Sequence, residues 1–152
     1  MRIRTALPAD APSIAGVVRC AYAGYVESLG VRPAPMDDDY DEKVRKGQAF
    51  VIEREEGIVG VIVVISEEDH VLIENVAVVP NRQGEGLGRA LLVWAELFAL
   101  DAGTPELRLY TNAGMTENIA LYRHFGYREI ERRSSGPFRR VFFSKRLDSA
   151  GG

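Results

Sequence analysis

Gly84, Gly86 and Gly88 alternate with Glu85 and Leu87 inside the stretch Val76-Ala77-Val78-Val79-Pro80-Asn81-Arg82-Gln83-Gly84-Glu85-Gly86-Leu87-Gly88-Arg89, where a β-branched run breaks and a long helical periodicity begins. Residues without a Cβ let backbone N–H groups come close to an anion, and a helix start carries roughly half a positive charge, so this stretch suits a pyrophosphate. Two nucleotide loops do not fit it. A phosphate-binding P-loop requires a lysine after its glycines, and none follows. The dinucleotide fingerprint Gly-x-Gly-x-x-Gly, counted from Gly84, ends on Arg89. A strand-to-helix turn that needs glycine only for positive φ is the plainer alternative.

Such a loop needs a strand before it and a helix after it. Residues 2–6 alternate polar with apolar and stop at Pro8, a first strand. Asp10 is placed to cap a helix with Pro12 in its first turn and Ile14, Val17, Val18, Ala21 and Tyr25 on its inward face. Residues 30–39 read as a loop, and 40–46 as a short helix ended by Gly47. Residues 48–53, 58–65 and 70–79 are three successive antiparallel strands separated by tight turns. Beyond the glycines, Leu87, Leu91, Trp94 and Phe98 line one helix face and Ala90, Val93, Leu97 and Leu100 a second, which predicts cover on two sides. Residues 107–111, 127–132 and 141–145 are further strands, and 116–125 a helix closed by Gly126. The order βα(α)βββαβαββ mixes hairpins with crossovers and implies an α+β fold on one mixed sheet.

The chain of 152 residues, with net charge -3, 46% hydrophobic and 27% charged residues, predicts one domain over 1–148 and a disordered tail at 149–152. No internal repeat or low-complexity segment interrupts it. The lone Cys20 cannot form an internal bridge, and no Cys/His spacing points to a metal, so a reducing cytoplasm is the expected setting. Apolar runs fall far short of the roughly 20 residues of a membrane span. Residues 1–10 lack the unbroken apolar run of a secretory signal, so export is not expected. The acidic balance, with pI near 5.5, argues against nucleic acid. Basic residues gathered over 128–146 read as solvated strand faces.

Gln83-Gly84-Glu85-Gly86-Leu87-Gly88 matches the pattern Gln/Arg-x-x-Gly-x-Gly/Ala after a Val-x-Val-x-Pro strand end. Asn118-Ile119-Ala120-Leu121-Tyr122-Arg123-His124-Phe125-Gly126-Tyr127 matches a second pattern, Asn-x-x-x-Tyr-x-x-x-Gly-Phe/Tyr. On these residues, and in element order over almost its whole length, the chain resembles the GNAT (GCN5-related N-acetyltransferase) superfamily. The resemblance implies a seven-stranded, mostly antiparallel sheet flanked by about four helices, with a splay between the fourth strand, 70–79, and the fifth, 107–111. It also implies acetyl-coenzyme A as donor, a primary amine as acceptor, and direct attack in a ternary complex. The backbone of Val76, Ala77 and Val78 would then lie along the pantetheine arm, with one N–H polarising the thioester carbonyl. The N–H groups of Gln83, Gly84, Gly86, Leu87, Gly88 and Arg89 would hold the pyrophosphate.

By the same resemblance Tyr122 protonates the departing thiolate, which a phenol of pKa about 10 can do. A tyrosine packed in the core is the bland reading. Asn118, one turn earlier, would bond the cofactor's amide or carbonyl, or else support the helix start. An attacking ammonium must lose a proton, and Glu74 is the candidate base: period 2 puts it on the face of Val76 and Val78 if no bulge intervenes. A glutamate satisfied by neighbouring donors is the alternative. Tyr22 and Tyr25 would wall the acceptor pocket, and Tyr110 would contact acceptor or water from the opposite strand. His70 and His124 read as surface residues. Asp37, Asp38, Asp39, Asp41 and Glu42 read first as a solvated loop and second as a rim attracting a cationic amine. Residues 138–143, alternating aromatics and arginines, suggest an edge strand or a homodimer contact. A coenzyme A-binding sensor without transfer is the alternative function, and ATP binding is opposed by the absent P-loop lysine.

Overall fold

The computed structural model describes residues 2–30 and 32–147; the expected tail at 149–152 lies outside them. Seven strands, β1 (Ile3–Thr5), β2 (Ala49–Arg54), β3 (Gly57–Ser66), β4 (Val71–Val78), β5 (Glu106–Asn112), β6 (Arg128–Ser135) and β7 (Phe138–Arg146), form one sheet in the order β1-β2-β3-β4-β5-β7-β6. Every pairing is antiparallel except β4 with β5. Four α-helices join them: α1 (Ala11–Leu29), α2 (Tyr40–Arg45), α3 (Leu87–Asp101) and α4 (Thr116–His124). The sequence-derived order and the mixed α+β sheet are therefore present.

Two cores flank the sheet. Ile14, Val17, Val18 and Tyr22 of α1 and Tyr40 and Val44 of α2 bury one face against Val51, Val61, Val63 and Ala77. Leu87, Leu91, Leu92, Ala95 and Ala99 of α3 and Tyr122 of α4 bury the other against Ile52, Ile62, Ile73, Leu107, Leu109, Val141 and Phe143. The inward stripe of α1 matches its periodicity, with Tyr22 buried and Tyr25 only half-buried.

Three expectations need correction. The second face of α3 is not covered: Val93, Leu97 and Leu100 are 43%, 62% and 40% exposed, because the sheet meets only one side of an outer-layer helix. Asp10 does not cap α1 with its side chain. Its carboxylate reaches back to the Leu7 N–H at 2.7 Å and to Arg4 at 2.8 Å, closing the 3-10 turn Pro8–Asp10. The Phe- and Arg-rich segment is not an edge, because β7 returns between β5 and β6 and leaves the edge to β6. β6 is exposed along its whole length and charged, which suits a strand that must resist pairing with another chain.

Candidate active site

β4 and β5 pair only over Val71–Leu107, Leu72–Arg108 and Ile73–Leu109. Beyond Ile73 the two strands part. The cause lies on the other edge of β4, where Val63 opposes Asn75 but Val64 opposes Ile73, so Glu74 is an extra residue with no partner on β3. A β-bulge of this kind bends its strand and changes which face each side chain takes. Val71 and Ile73 pack under α3, and so do Val76 and Val78, whereas Ala77 packs under α1. Glu74 therefore does not share a face with Val76 and Val78 as period 2 implied. It points toward α2, where Lys43 Nζ lies 2.6 Å from its Oε1.

Buried hydroxyls fasten the bulge. Tyr22 donates to Asn75 Oδ1 at 2.8 Å, and its oxygen lies 3.3 Å from the Val76 carbonyl. Asn75 Nδ2 donates to the Tyr40 oxygen at 3.0 Å, and Tyr40 donates to the Pro35 carbonyl at 2.6 Å. Burial pushes the Tyr22 phenol well above its usual pKa, and burial, aided by the charge of Asp38, raises Tyr40. Both remain donors at any physiological pH. Asn75 carried no signal in the sequence, because its role depends on the bulge.

Hydrogen-bond parity then decides which β4 amides are free. Val79 N–H donates to the Val59 carbonyl at 2.9 Å, and antiparallel ladders alternate, so Ala77 points its backbone at β3. Val76 and Val78 point theirs the other way, into the gap left by β5. Of the sequence-derived trio, Val76 and Val78 thus present N–H groups to the splay and Ala77 does not. The Val78 carbonyl is taken by Gln83 Nε2 at 3.1 Å, a bond that holds the strand end against the following loop.

In that loop Gly84 and Gly86 have φ of 89° and 84°, left-handed values that a side chain resists. Gly86 stands before α3 without a side-chain cap, and its carbonyl accepts the Ala90 N–H at 3.0 Å. The N–H groups of residues 84–89 find no acceptor among the described residues. Arg82 ties the loop to the β2–β3 turn through Glu56 and to Glu85 at 3.2 Å. Leu87 is buried beneath, whereas Gln83, Gly84, Gly86 and Arg89 are exposed and Gly88 is half-exposed. A row of unpartnered amides at a helix start fits a pyrophosphate.

The splay opens into a cleft lined by Tyr22, Glu74, Val76, Tyr110, Tyr122 and Arg140, together with Pro33 and Pro35. Tyr122 is 6% exposed, its ring packs on Tyr127 and Phe143, and its hydroxyl makes no hydrogen bond among the described residues. Burial, with a smaller contribution from Tyr25, pushes its pKa up to about 12. The phenol therefore stays protonated, with its proton available to an atom in the cleft. Tyr110 also lines the cleft and is raised chiefly by burial. Tyr25 and Asn118 do not belong to the cleft wall; burial and then Glu117 raise the Tyr25 phenol.

The acidic run is largely committed to local structure. Asp39 caps α2 through the Glu42 N–H, Glu42 pairs with Lys46 at 2.6 Å, and Asp37 pairs with Arg32 at 3.0 Å. Asp38 differs: burial, then the charge of Glu74, lifts its carboxyl above the usual range. Lys43 is also raised, because Glu74 and Asp38 outweigh the opposing effect of burial. His124 is exposed, and His70 lies 2.7 Å from Asp69 away from the cleft. Besides Asn75, the sequence reading missed Lys43 and Arg140; the alternation at 138–143 held a signal for Arg140 but was read as an edge.

The model of the acetyltransferase (GNAT) domain family matches residues 45–129. An uncharacterized N-acetyltransferase of Escherichia coli (strain K12), YjgM, is 30% identical over 131 residues, covering 80% of this chain and 78% of that one. A mycothiol acetyltransferase of Jonesia denitrificans is 44% identical over 50 residues, which are 33% of this chain and 16% of that protein. The fold superposes on the PaiA N-acetyltransferase of Thermoplasma acidophilum, solved in complex with coenzyme A, with a TM-score of 0.78. That likeness has 19% identity and covers 96% of this chain and 98% of the other.

Proposed function

Because the chain belongs to the GNAT acetyltransferase family, we propose that it moves an acetyl group from acetyl-coenzyme A to a primary amine by direct attack within a ternary complex. When bound, acetyl-coenzyme A supplies an acyl group already activated as a thioester. The amides of residues 84–89 hold its pyrophosphate at the start of α3. The free N–H of Val76 or Val78 holds the carbonyl oxygen as negative charge gathers there, an effect typically worth about 2.7–4 kcal/mol per donor. Tyr122 gives its proton to the departing sulfur. Glu74, with Oε1 engaged by Lys43, takes the amine's proton on Oε2, directly or through water.

One observation carries this reading. Val76, whose N–H is left unpaired by the divergence of β5, lines the same cleft as Tyr122 with its unpartnered hydroxyl. The test is a panel of primary amines with acetyl-coenzyme A, read as free thiol released. Amine-dependent thiol release is expected. Coenzyme A binding with no release on any amine would leave a sensor instead of an enzyme.

A further inference from the structure

The two faces of the sheet contribute different walls to the cleft. Leu107, Leu109, Val141 and Phe143 face α3 and α4, so their neighbours Tyr110, Asn112, Arg140 and Phe142 stand on the opposite face. The glycine loop and Tyr122 belong to the α3–α4 side, which leaves the Arg140 side for the second substrate. There the Arg140 guanidinium is held over the rings of Tyr110 at 4.8 Å and Phe138 at 5.1 Å. No carboxylate pairs with it among the described residues, although Arg133 on β6 pairs with Glu131 and Arg108 on β5 with Glu106. Across the cleft, the Glu74 carboxylate stands 2.6 Å from the Lys43 ammonium, and the charge of Asp38 acts on both. One wall thus carries a carboxylate with its ammonium and the other a guanidinium that no carboxylate answers.

We propose that the acceptor is a zwitterionic amine, an amino acid or an analogue bearing one carboxylate, held with the carboxylate on Arg140 and the amino group toward Glu74. The proposal rests on the acetyl-transfer reading of the same cleft. A guanidinium fork matches a planar carboxylate with two parallel hydrogen bonds, and aromatic neighbours fix its orientation. Arg133, which stands beside it on β6, is already paired with Glu131, so Arg140 offers one free guanidinium, and a singly charged carboxylate fits it better than a phosphate. An acceptor without a negative group would cover Arg140 while leaving it unpaired, which is costly.

The experiment compares each free amino acid with its own α-carboxamide, which keeps the amine and side chain but removes the charge. In the parent protein, kcat/KM for the best acid should exceed that for its amide by about ten- to hundredfold, the value of a charge-assisted contact. In Arg140→Gln that ratio should fall to within about threefold of one, and Arg140→Lys should restore part of it. Calorimetric binding of the same pairs to the coenzyme A-loaded protein gives a second readout that needs no turnover. Equal use of acids and amides by the parent, or a preference that survives in Arg140→Gln, would overturn the assignment. Transfer without carboxylate preference removes the zwitterion site and leaves acetyl transfer. Arg140-dependent binding of acids without transfer does the reverse.

Discussion

Replacing Gly86 and Gly88 with alanine, one at a time, separates the two readings of the glycine loop. Gly88 is the second residue of α3, its φ is not positive, and an added Cβ would meet nothing within 4 Å. Alanine there narrows the unfolded ensemble and favours the helix, a gain of roughly 0.5–1 kcal/mol. For a domain of this size that raises Tm by about 1–4 °C. Gly86→Ala is the opposing control, because a φ of 84° penalises a side chain. A cost of about 1–2 kcal/mol should lower its Tm by roughly 2–8 °C. The matched pattern itself admits alanine at position 88, so Gly88→Ala should leave coenzyme A affinity near the parent's. The Gly86→Ala methyl stands among free N–H groups, so an anion drawn to the backbone meets carbon first. Losing one charge-assisted hydrogen bond raises the coenzyme A Kd by roughly ten- to hundredfold. Thermal unfolding without ligand and calorimetry with coenzyme A measure the two effects separately. A Gly86→Ala protein that binds coenzyme A as tightly as the parent would reduce the loop to a turn. A Gly88→Ala protein less stable than the parent would contradict the helical placement of Gly88.

Tyr122→Phe should lower kcat by about a hundredfold or more, with little change in coenzyme A affinity. Its Tm should stay close to the parent's, since the hydroxyl has no partner to lose among the described residues; equal turnover in stopped-time thiol assays would remove Tyr122 from the chemistry. Glu74→Gln should displace the rising limb of the pH–rate profile to higher pH by more than it alters acceptor affinity, and an unmoved profile would assign the proton to another group. The Asp10 carboxyl is held below its ordinary value of 3.8 first by the hydrogen bond from Arg4 and further by the Leu7 N–H, against the effect of burial. Its stabilising contribution is therefore in force above pH 3.8 and is lost as pH falls through the lowered folded value. Asp10→Asn should be less stable than the parent near neutrality in denaturant titrations, and the gap should close in acid; a gap that persists there would refute the linkage.

The elements of this fold were legible because their signals are local: Gly47, Gly103 and Gly126 end helices at positive φ where the periodicities stop. Glu74 shows what local pattern cannot carry. Residues 71–78 are apolar but for the adjacent Glu74 and Asn75, a pattern that does not say which face either takes, and only the pairing of Val63 and Val64 with β4 reveals the extra residue. Arg140 was misread for the same reason, since strand order is a property of the whole sheet and not of 138–143. Leu97 and its neighbours were expected inside because apolar spacing reports a face and says nothing of whether another element reaches it. The glycine loop stood out by residue type and spacing, and Tyr122 only through the resemblance, while the Tyr22–Asn75–Tyr40 chain joins residues distant in sequence.

What Val76 and Val78 offer the splay are peptide hydrogens, not side-chain groups. Exchanging Val76 or Val78 for another amino acid leaves those hydrogens in place, and proline alone removes one. Mutational drift can therefore rewrite the Arg140 wall, which is made of replaceable side chains, while the opposite grip passes unaltered from one variant to the next.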